Sequence, residues 1–169
     1  YVERHRLNFN FDYRFFKDQS NIPKFLADAG LNLQAIGVSG RPYTARRTPL
    51  ELGGTQTIGS INGARKPWTF TLNARIDKTI NFAKGGGLNI YCRVSNLLNR
   101  QNVLNVYPAT GSATDDGFLA SANGQDKLRN IQNSVREVEA YLASYQWAII
   151  NPGLYSLPRR IYIGAIYNF

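Results

Sequence analysis

Over residues 6–15 the chain alternates without a fault. Leu7, Phe9, Phe11, Tyr13 and Phe15 fall on one side, and Arg6, Asn8, Asn10, Asp12 and Arg14 on the other. Strand side chains repeat every two residues, so the run encodes a strand with one greasy, largely aromatic face and one wet face. A run of about ten exceeds the usual globular strand of about five or six residues and matches the roughly 9–11 that cross a bilayer at a tilt. The aromatic stripe must lie against something apolar, either a protein core or lipid.

The same pattern returns four times, giving strands over about 6–16, 31–40, 67–80, 88–96 and 159–169. In the second, Leu31, Leu33, Ala35 and Gly37 share a face; in the third, Trp68, Phe70, Leu72, Ala74 and Ile76 oppose Thr69, Thr71, Asn73, Arg75 and Asp77. In the fourth, Leu88, Ile90, Cys92 and Val94 oppose Asn89, Tyr91, Arg93 and Ser95. The last run, Ile161, Ile163, Ala165, Tyr167 and Phe169, carries an apolar stripe to the final residue. A soluble protein usually blunts such an edge, whereas a barrel strand in a bilayer has this character.

The connections alternate in length. Asn21 is expected to cap a helical turn over 23–29 that Gly30 ends, and Gly85-Gly86-Gly87 reads as a tight hairpin rather than a phosphate loop, since no helix follows. Residues 41–66, with two prolines and four glycines, read as a long loop, and 97–158 as a longer one. Within the latter, Leu128, Ile131, Val135, Val138 and Leu142 recur at helical spacing and predict one helix over 126–145, packed on its own loop or rim. Short turns on one side and long loops on the other are the rule for antiparallel outer-membrane barrels. That rule puts 41–66 and 97–158 outside and the carboxyl terminus inside.

The fold expected is therefore all-β, an antiparallel transmembrane barrel of which these are five strands. The smallest bacterial barrels have about eight, so the chain is expected to be the tail of something larger or to complete a barrel with another chain. A start at Tyr1-Val2-Glu3 with no methionine anywhere fits a fragment or processed product. No run approaches the roughly 18 apolar residues of a membrane helix. One cysteine, Cys92, and one histidine, His5, exclude a disulfide framework and a cysteine- or histidine-rich metal site. The pair Asp115-Asp116 is the weak candidate for a metal, calcium, which takes about 6–8 oxygens. No cofactor and no enzyme activity are implied.

Several short motifs, in order, carry a resemblance. Tyr162, Gly164, Tyr167 and Phe169 lie in a terminal stretch that looks like the insertion signal of outer-membrane barrels, read by the barrel assembly machinery. Val94-Ser95-Asn96-Leu97-Leu98-Asn99 is similar to the penultimate-strand signature of TonB-dependent transporters. Arg4-His5-Arg6-Leu7-Asn8, Ser39-Gly40-Arg41-Pro42-Tyr43-Thr44, Ala109-Thr110-Gly111, Asp115-Asp116-Gly117-Phe118-Leu119 and Tyr155-Ser156-Leu157-Pro158-Arg159-Arg160 resemble pieces of large Bacteroidetes-type receptors of that class. The resemblance implies a plugged barrel of about 22 strands in the outer membrane of a Gram-negative bacterium. It implies energy-coupled uptake of a bulky nutrient such as a siderophore, glycan or peptide. The expected partners are the rest of the barrel and its plug, the TonB system and outer-leaflet lipid, with surface lipoproteins or other outer-membrane subunits also in view. A barrel subunit with a structural or accessory role is the second reading, and a soluble β-sandwich binding protein the third.

The net charge of +9 is distributed to suit. Arg41, Tyr43, Arg46, Arg47, Arg100, Arg159 and Arg160 map to the outer rim and loops, as contacts for an anionic ligand or lipid phosphate or as an ordinary solvated rim. Arg6, Asp12, Arg14, Arg75, Asp77 and Arg93 map to the wet faces, lining the lumen and the plug in a cross-strand ion network. Aromatic and basic residues fall on opposite faces, which argues against nucleic acid, whose binding sheets mingle them.

Overall fold

The structure is a computed structural model that describes residues 2–16, 23, 25–49, 52–82, 85–134 and 137–169. The elements run β1 (Arg6–Arg14), β2 (Ala29–Val38), β3 (Pro42–Tyr43), β4 (Ala64–Arg65), β5 (Thr69–Asn81), β6 (Gly87–Ser95), α1 (Ala122–Asn133), α2 (Val138–Ile149) and β7 (Arg160–Asn168). They form two compact units. One holds the sheet, with His5–Val38, Phe70–Gln101 and Leu157–Phe169; the other holds Tyr1–Arg4, Ser39–Thr69 and Asn102–Ser156.

The sheet has the order β1-β2-β5-β6-β7, so each long strand lies beside the next long strand in sequence. β1–β2, β5–β6 and β6–β7 are antiparallel. Gly37 lies by Phe70 and Gly30 by Asp77, opposite progressions that make β2–β5 antiparallel as well. The sheet is open, with β1 and β7 as its edges.

Register carries the two faces across the sheet. Phe9 pairs with Ala35 and Phe11 with Leu33, Ile76 with Cys92, and Cys92 in turn with Ile163. Cys92 is thus a small half-buried filler on the apolar face. Much of that face is exposed. Leu7 is 68% exposed, Phe9 64% and Ile163 79%, and Phe11, Ile76, Ile80, Ile90, Ile161 and Tyr167 are exposed too. Burying one large apolar side chain is worth about 1.5–3 kcal/mol. The face therefore leaves on the order of ten kcal/mol unrealised, as much as the whole stability of an ordinary domain. Among the described residues of the sheet unit the buried apolar residue is Ala29.

The turn after β6 fastens the sheet at the end where the long connections leave. Asn96 and Asn99 both take left-handed backbone, φ 54° and 50°, which asparagine tolerates better than most residues. Asn96 is buried. Its amide donates to the carbonyls of Arg100 at 3.0 Å and Leu157 at 3.1 Å, and its Oδ1 accepts from Arg100 N–H at 3.0 Å. Its own N–H reaches Asn73 Oδ1 at 3.1 Å, and Leu97 N–H reaches Leu72 O at 2.7 Å. Asn99 Oδ1 accepts from Arg159 N–H at 2.9 Å, one residue before β7. One turn thus ties β5, β6 and the approach to β7.

Three local expectations change. Residues 25–28 form turns, with Leu26 N–H to Pro23 O and Ala29 N–H to Leu26 O, rather than a helical turn closed by glycine. Asp28 takes the left-handed region at φ 58°, ending the turn there, and Ala29 and Gly30 already belong to β2. The capping role expected of Asn21 lies outside the described residues. The 41–66 connection is not plain loop: β3 pairs β4, and Arg46 bridges Thr57 between them.

The single helix over 126–145 is instead two. α1 opens on Ser121, whose hydroxyl accepts from Gly124 N–H. It closes at Ser134, where the hydroxyl donates to Ile131 O and competes with continuation of the helix. α2 restarts after Glu137 in extended backbone. Leu128, Ile131, Val138 and Leu142 are all half-buried, so the stripe is real although divided; Val135 lies outside the described residues. The Phe118 and Tyr145 rings meet at 5.6 Å, and Tyr107 Oη donates to Ile149 O at 2.7 Å. Among its described residues Val106, Ala113 and Phe118 are the buried apolar ones.

Asn96→Ala removes three side-chain hydrogen bonds, each worth about 0.5–1.5 kcal/mol, and places a Cβ residue without a polar tip in left-handed backbone. We expect a loss of about 2–4 kcal/mol on that basis, read as a lowered denaturant midpoint. Asn96→Gly, which tolerates the backbone, should lose measurably less.

Candidate functional site

The wet face of the sheet concentrates the chain's polar chemistry. Asp77 on β5 is 7% exposed. Its carboxylate lies between two guanidinium groups, Arg14 Nη1 at 3.7 Å and Arg75 Nε at 3.8 Å, and accepts from Asn89 Nδ2 at 3.3 Å. Asp12 pairs with Arg14 at 3.8 Å and accepts from Asn32 Nδ2 at 3.2 Å. Amides continue the network: Asn32 donates to Asn10 at 3.1 Å, Asn73 to Gln34 at 3.2 Å and Asn89 to Thr79 at 3.0 Å. The two arginines around Asp77 are about half exposed, so solvent weakens each pair, while the buried carboxylate makes their joint presence matter.

On β6 and β7 the wet face is aromatic as well as basic. Arg75 stacks on the Tyr91 ring at 4.7 Å, and Tyr91 lies opposite Gly164. A Cβ on Gly164 would meet the Tyr91 ring at 2.6 Å, so the absence of a side chain is what admits the ring. Arg93 pairs across the strands with Arg75 on one side and Tyr162 on the other. Arg160, opposite Ser95, holds its guanidinium 5.9 Å from the Tyr162 ring. Aromatic and basic residues therefore mingle on this part of the sheet, and the strict segregation expected from parity is broken at Tyr91 and Tyr162. Arg6 lies on the same face, opposite Val38 in β1–β2.

The rim arginines are each held locally. Arg41 bonds Glu3 through Nε at 3.2 Å and Nη2 at 3.0 Å. Arg46 donates from Nη1 to Gly54 O at 2.8 Å, and the Arg47 N–H bonds Gln56 O at 2.9 Å. Arg100 and Arg159 are held by the asparagine turn, and Arg159 also reaches Leu97 O at 3.5 Å. The Tyr43 hydroxyl abuts Gly111, which takes φ 73°. Arg46 and Asp116, with Thr48, Pro49, Tyr107, Pro108 and Ala109, line a recess of about 210 Å³. Lys66 donates to Leu104 O at 2.9 Å and Asn105 Oδ1 at 2.6 Å. Partial burial, and then the Arg41 charge, hold its ammonium below the usual lysine value.

Asp115 and Asp116 serve turns. Asp115 Oδ1 accepts from Gly117 N–H at 2.8 Å and Asp116 Oδ1 from Phe118 N–H at 3.0 Å, while the Tyr145 hydroxyl bonds the other Asp116 oxygen. Among the described residues no group of three or more His, Cys, Asp or Glu side chains is placed to hold a metal. Of the terminal residues, Tyr167 packs against Phe82 and Phe169, each at 6.3 Å, and the Phe169 ring is fully exposed. Two features escaped sequence reasoning. The asparagine turn had a signal in its two asparagines flanking Leu97-Leu98; the seat of Tyr91 on Gly164 had none, because it needs the cross-strand register. Compared with protein-family models, curated proteins and solved structures, the chain matches none.

Asp77→Asn leaves Arg14 and Arg75 facing each other without their shared carboxylate. We expect a loss of about 1–2 kcal/mol, discounted for the half-exposed arginines. Reducing Arg14→Gln in the same chain should recover part of it, measured as non-additivity in a double-mutant cycle.

Proposed function

We propose that this chain is the carboxyl-terminal part of an outer-membrane β-barrel, and that the barrel is a TonB-dependent transporter or receptor taking up a bulky nutrient. The observation that carries the first half is the apolar face of the five-stranded antiparallel sheet, on which β1, β5, β6 and β7 expose large apolar side chains. Lipid is the cover that asks nothing of the chain except such a face. The wet face, with its buried carboxylate and amide network, is the one that would turn to the lumen of a barrel of about 22 strands. The connections support the same orientation. At one end of the sheet Phe82 N–H bonds Gly86 O between β5 and β6, whereas 41–66 and 97–158 leave the opposite end, where long extracellular loops belong.

The transport half rests on the similarity of Val94-Ser95-Asn96-Leu97-Leu98-Asn99 and of the Tyr162-to-Phe169 stretch to the family's signatures. The asparagine turn gives the first of these a physical role, because it fastens the last strand to the rest. Energy-coupled uptake through a plugged lumen is the activity that family performs. The long loops, with Arg46 and Arg47 among their cations, are where the ligand would first arrive.

The full-length protein in outer-membrane detergent extracts should show a heat-modifiable gel shift; a monodisperse protein that folds without detergent refutes the barrel. Deleting Phe169 should lower its outer-membrane level several-fold by immunoblot, and an unchanged level removes the insertion role of the terminal strand. Collapse of the proton gradient should abolish ligand uptake by a transporter and leave binding intact. An accessory barrel subunit would show neither uptake nor that dependence.

A further inference from the structure

Across the five long strands the apolar face carries one charged side chain among the described residues, and it is Lys78. Lys78 stands between Ile76 and Ile80 on β5, and its cross-strand partner on β6 is Ile90. Thr79 N–H bonds Asp28 O and Gly30 lies by Asp77, which puts Ala29 beside Lys78 on its other flank. Phe15, bonded to Ala29, and Ala165, opposite Ile90, complete a row of apolar residues interrupted by one ammonium. The Lys78 Nζ donates to the Ala27 carbonyl. An ammonium has three donors, and among the described residues no carboxylate pairs with this one. The apolar face therefore holds a positive charge that its own residues leave unneutralised.

The depth of that charge is specific. β5 ends at Asn81, about 10 Å further along a strand that rises about 3.3 Å per residue. Aromatic rings gather at the same end: Tyr13 meets Phe15 edge-on at 4.8 Å, and Tyr167 packs against Phe82 and Phe169, each at 6.3 Å. Away from that end the face is hydrocarbon, with Ile76 57% and Ile163 79% exposed. We propose that this face seats an anionic phospholipid of the periplasmic leaflet, its phosphate on Lys78 and its acyl chains against Ile76, Ile163 and the apolar rows beyond. A lysine stem lies along apolar surface while its ammonium reaches the headgroup level, where barrels place their aromatic girdle. A phosphate oxygen accepts a charge-assisted hydrogen bond from an ammonium, and a lysine at a membrane surface favours a net-anionic lipid by about fivefold. A phospholipid fits where an acidic peptide does not, because charge at one end and hydrocarbon over the remainder is the order in which the face presents its own groups. The proposal rests on the barrel reading, in which this face meets lipid and the short connections are periplasmic.

The test uses the full-length protein purified from outer membranes and reconstituted in phosphatidylcholine vesicles. These carry a trace of either phosphatidylglycerol or phosphatidylcholine with a diazirine beside the headgroup. On irradiation the phosphatidylglycerol probe should label β5 and the 25–28 turn several-fold more than the phosphatidylcholine probe. Lys78→Gln should remove that excess, Lys78→Arg should keep it, and Ile90→Lys in the Lys78→Gln background should restore part of it. Loss without that rescue assigns Lys78 to its bond with Ala27 alone and overturns the proposal. Equal labelling by the two probes overturns it too, as does an excess that survives Lys78→Gln. The heat-modifiable shift is measured on every variant. If Lys78→Gln loses the shift, the unsubstituted protein decides: the excess should fall as salt screens the charges, and an excess indifferent to salt overturns the proposal. A shift without the anionic preference defeats the lipid site alone, and no shift in the unsubstituted protein defeats the barrel reading.

Discussion

Everything in the sheet depends on parity: a strand side chain points to one face or the other, and a one-residue slip exchanges the faces. Here both faces are committed. A slip of β7 would carry Ile161 and Ile163 into the Arg93–Tyr162 row and leave Tyr91 without the bare backbone of Gly164. Register is therefore specified by the apolar stripe, by charge and by one glycine together. The asparagine turn adds a mechanical constraint, since it fixes where β7 begins relative to β5 and β6.

Charge on the wet face follows from that register. Asp77 is buried because Gly30 offers it room, its Oδ1 standing 3.0 Å from where a Cβ would be. Arg14 and Arg75 reach the carboxylate from β1 and β5, so one acid links non-adjacent strands. A wall built this way spends its negative charge on itself and presents arginine outward. On the opposite face the large apolar side chains of β1, β5, β6 and β7 are exposed.

The faces of all five strands were legible in the sequence because period two survives any tertiary context, and strand ends moved by no more than two residues. What escaped were features that depend on backbone hand or on distant partners. Ser134 ends α1 through a local hydroxyl–carbonyl bond that an apolar stripe does not encode. Asp28 stops a turn by adopting positive φ, for which Gly30 looked the better candidate. Arg41 reads as a free rim cation until Glu3, distant in sequence, is placed beside it. Tyr91 falls on the wet face by parity, but the mingling of Tyr91 and Tyr162 with Arg75, Arg93 and Arg160 emerges only when three strands are laid side by side.

The asparagine turn has a consequence for how such a chain can change over generations. Asn96 grips Leu157 and Asn99 grips Arg159, so the residues between are held at both ends by the sheet itself. Doubling the length of a flexible closed loop costs only about 0.6 kcal/mol. With its exits pinned, the stretch between them, 101–156, can change in length at small entropic cost while β7 keeps its register. Two small amides thereby separate the part of the chain that must be inherited intact from the part free to diversify.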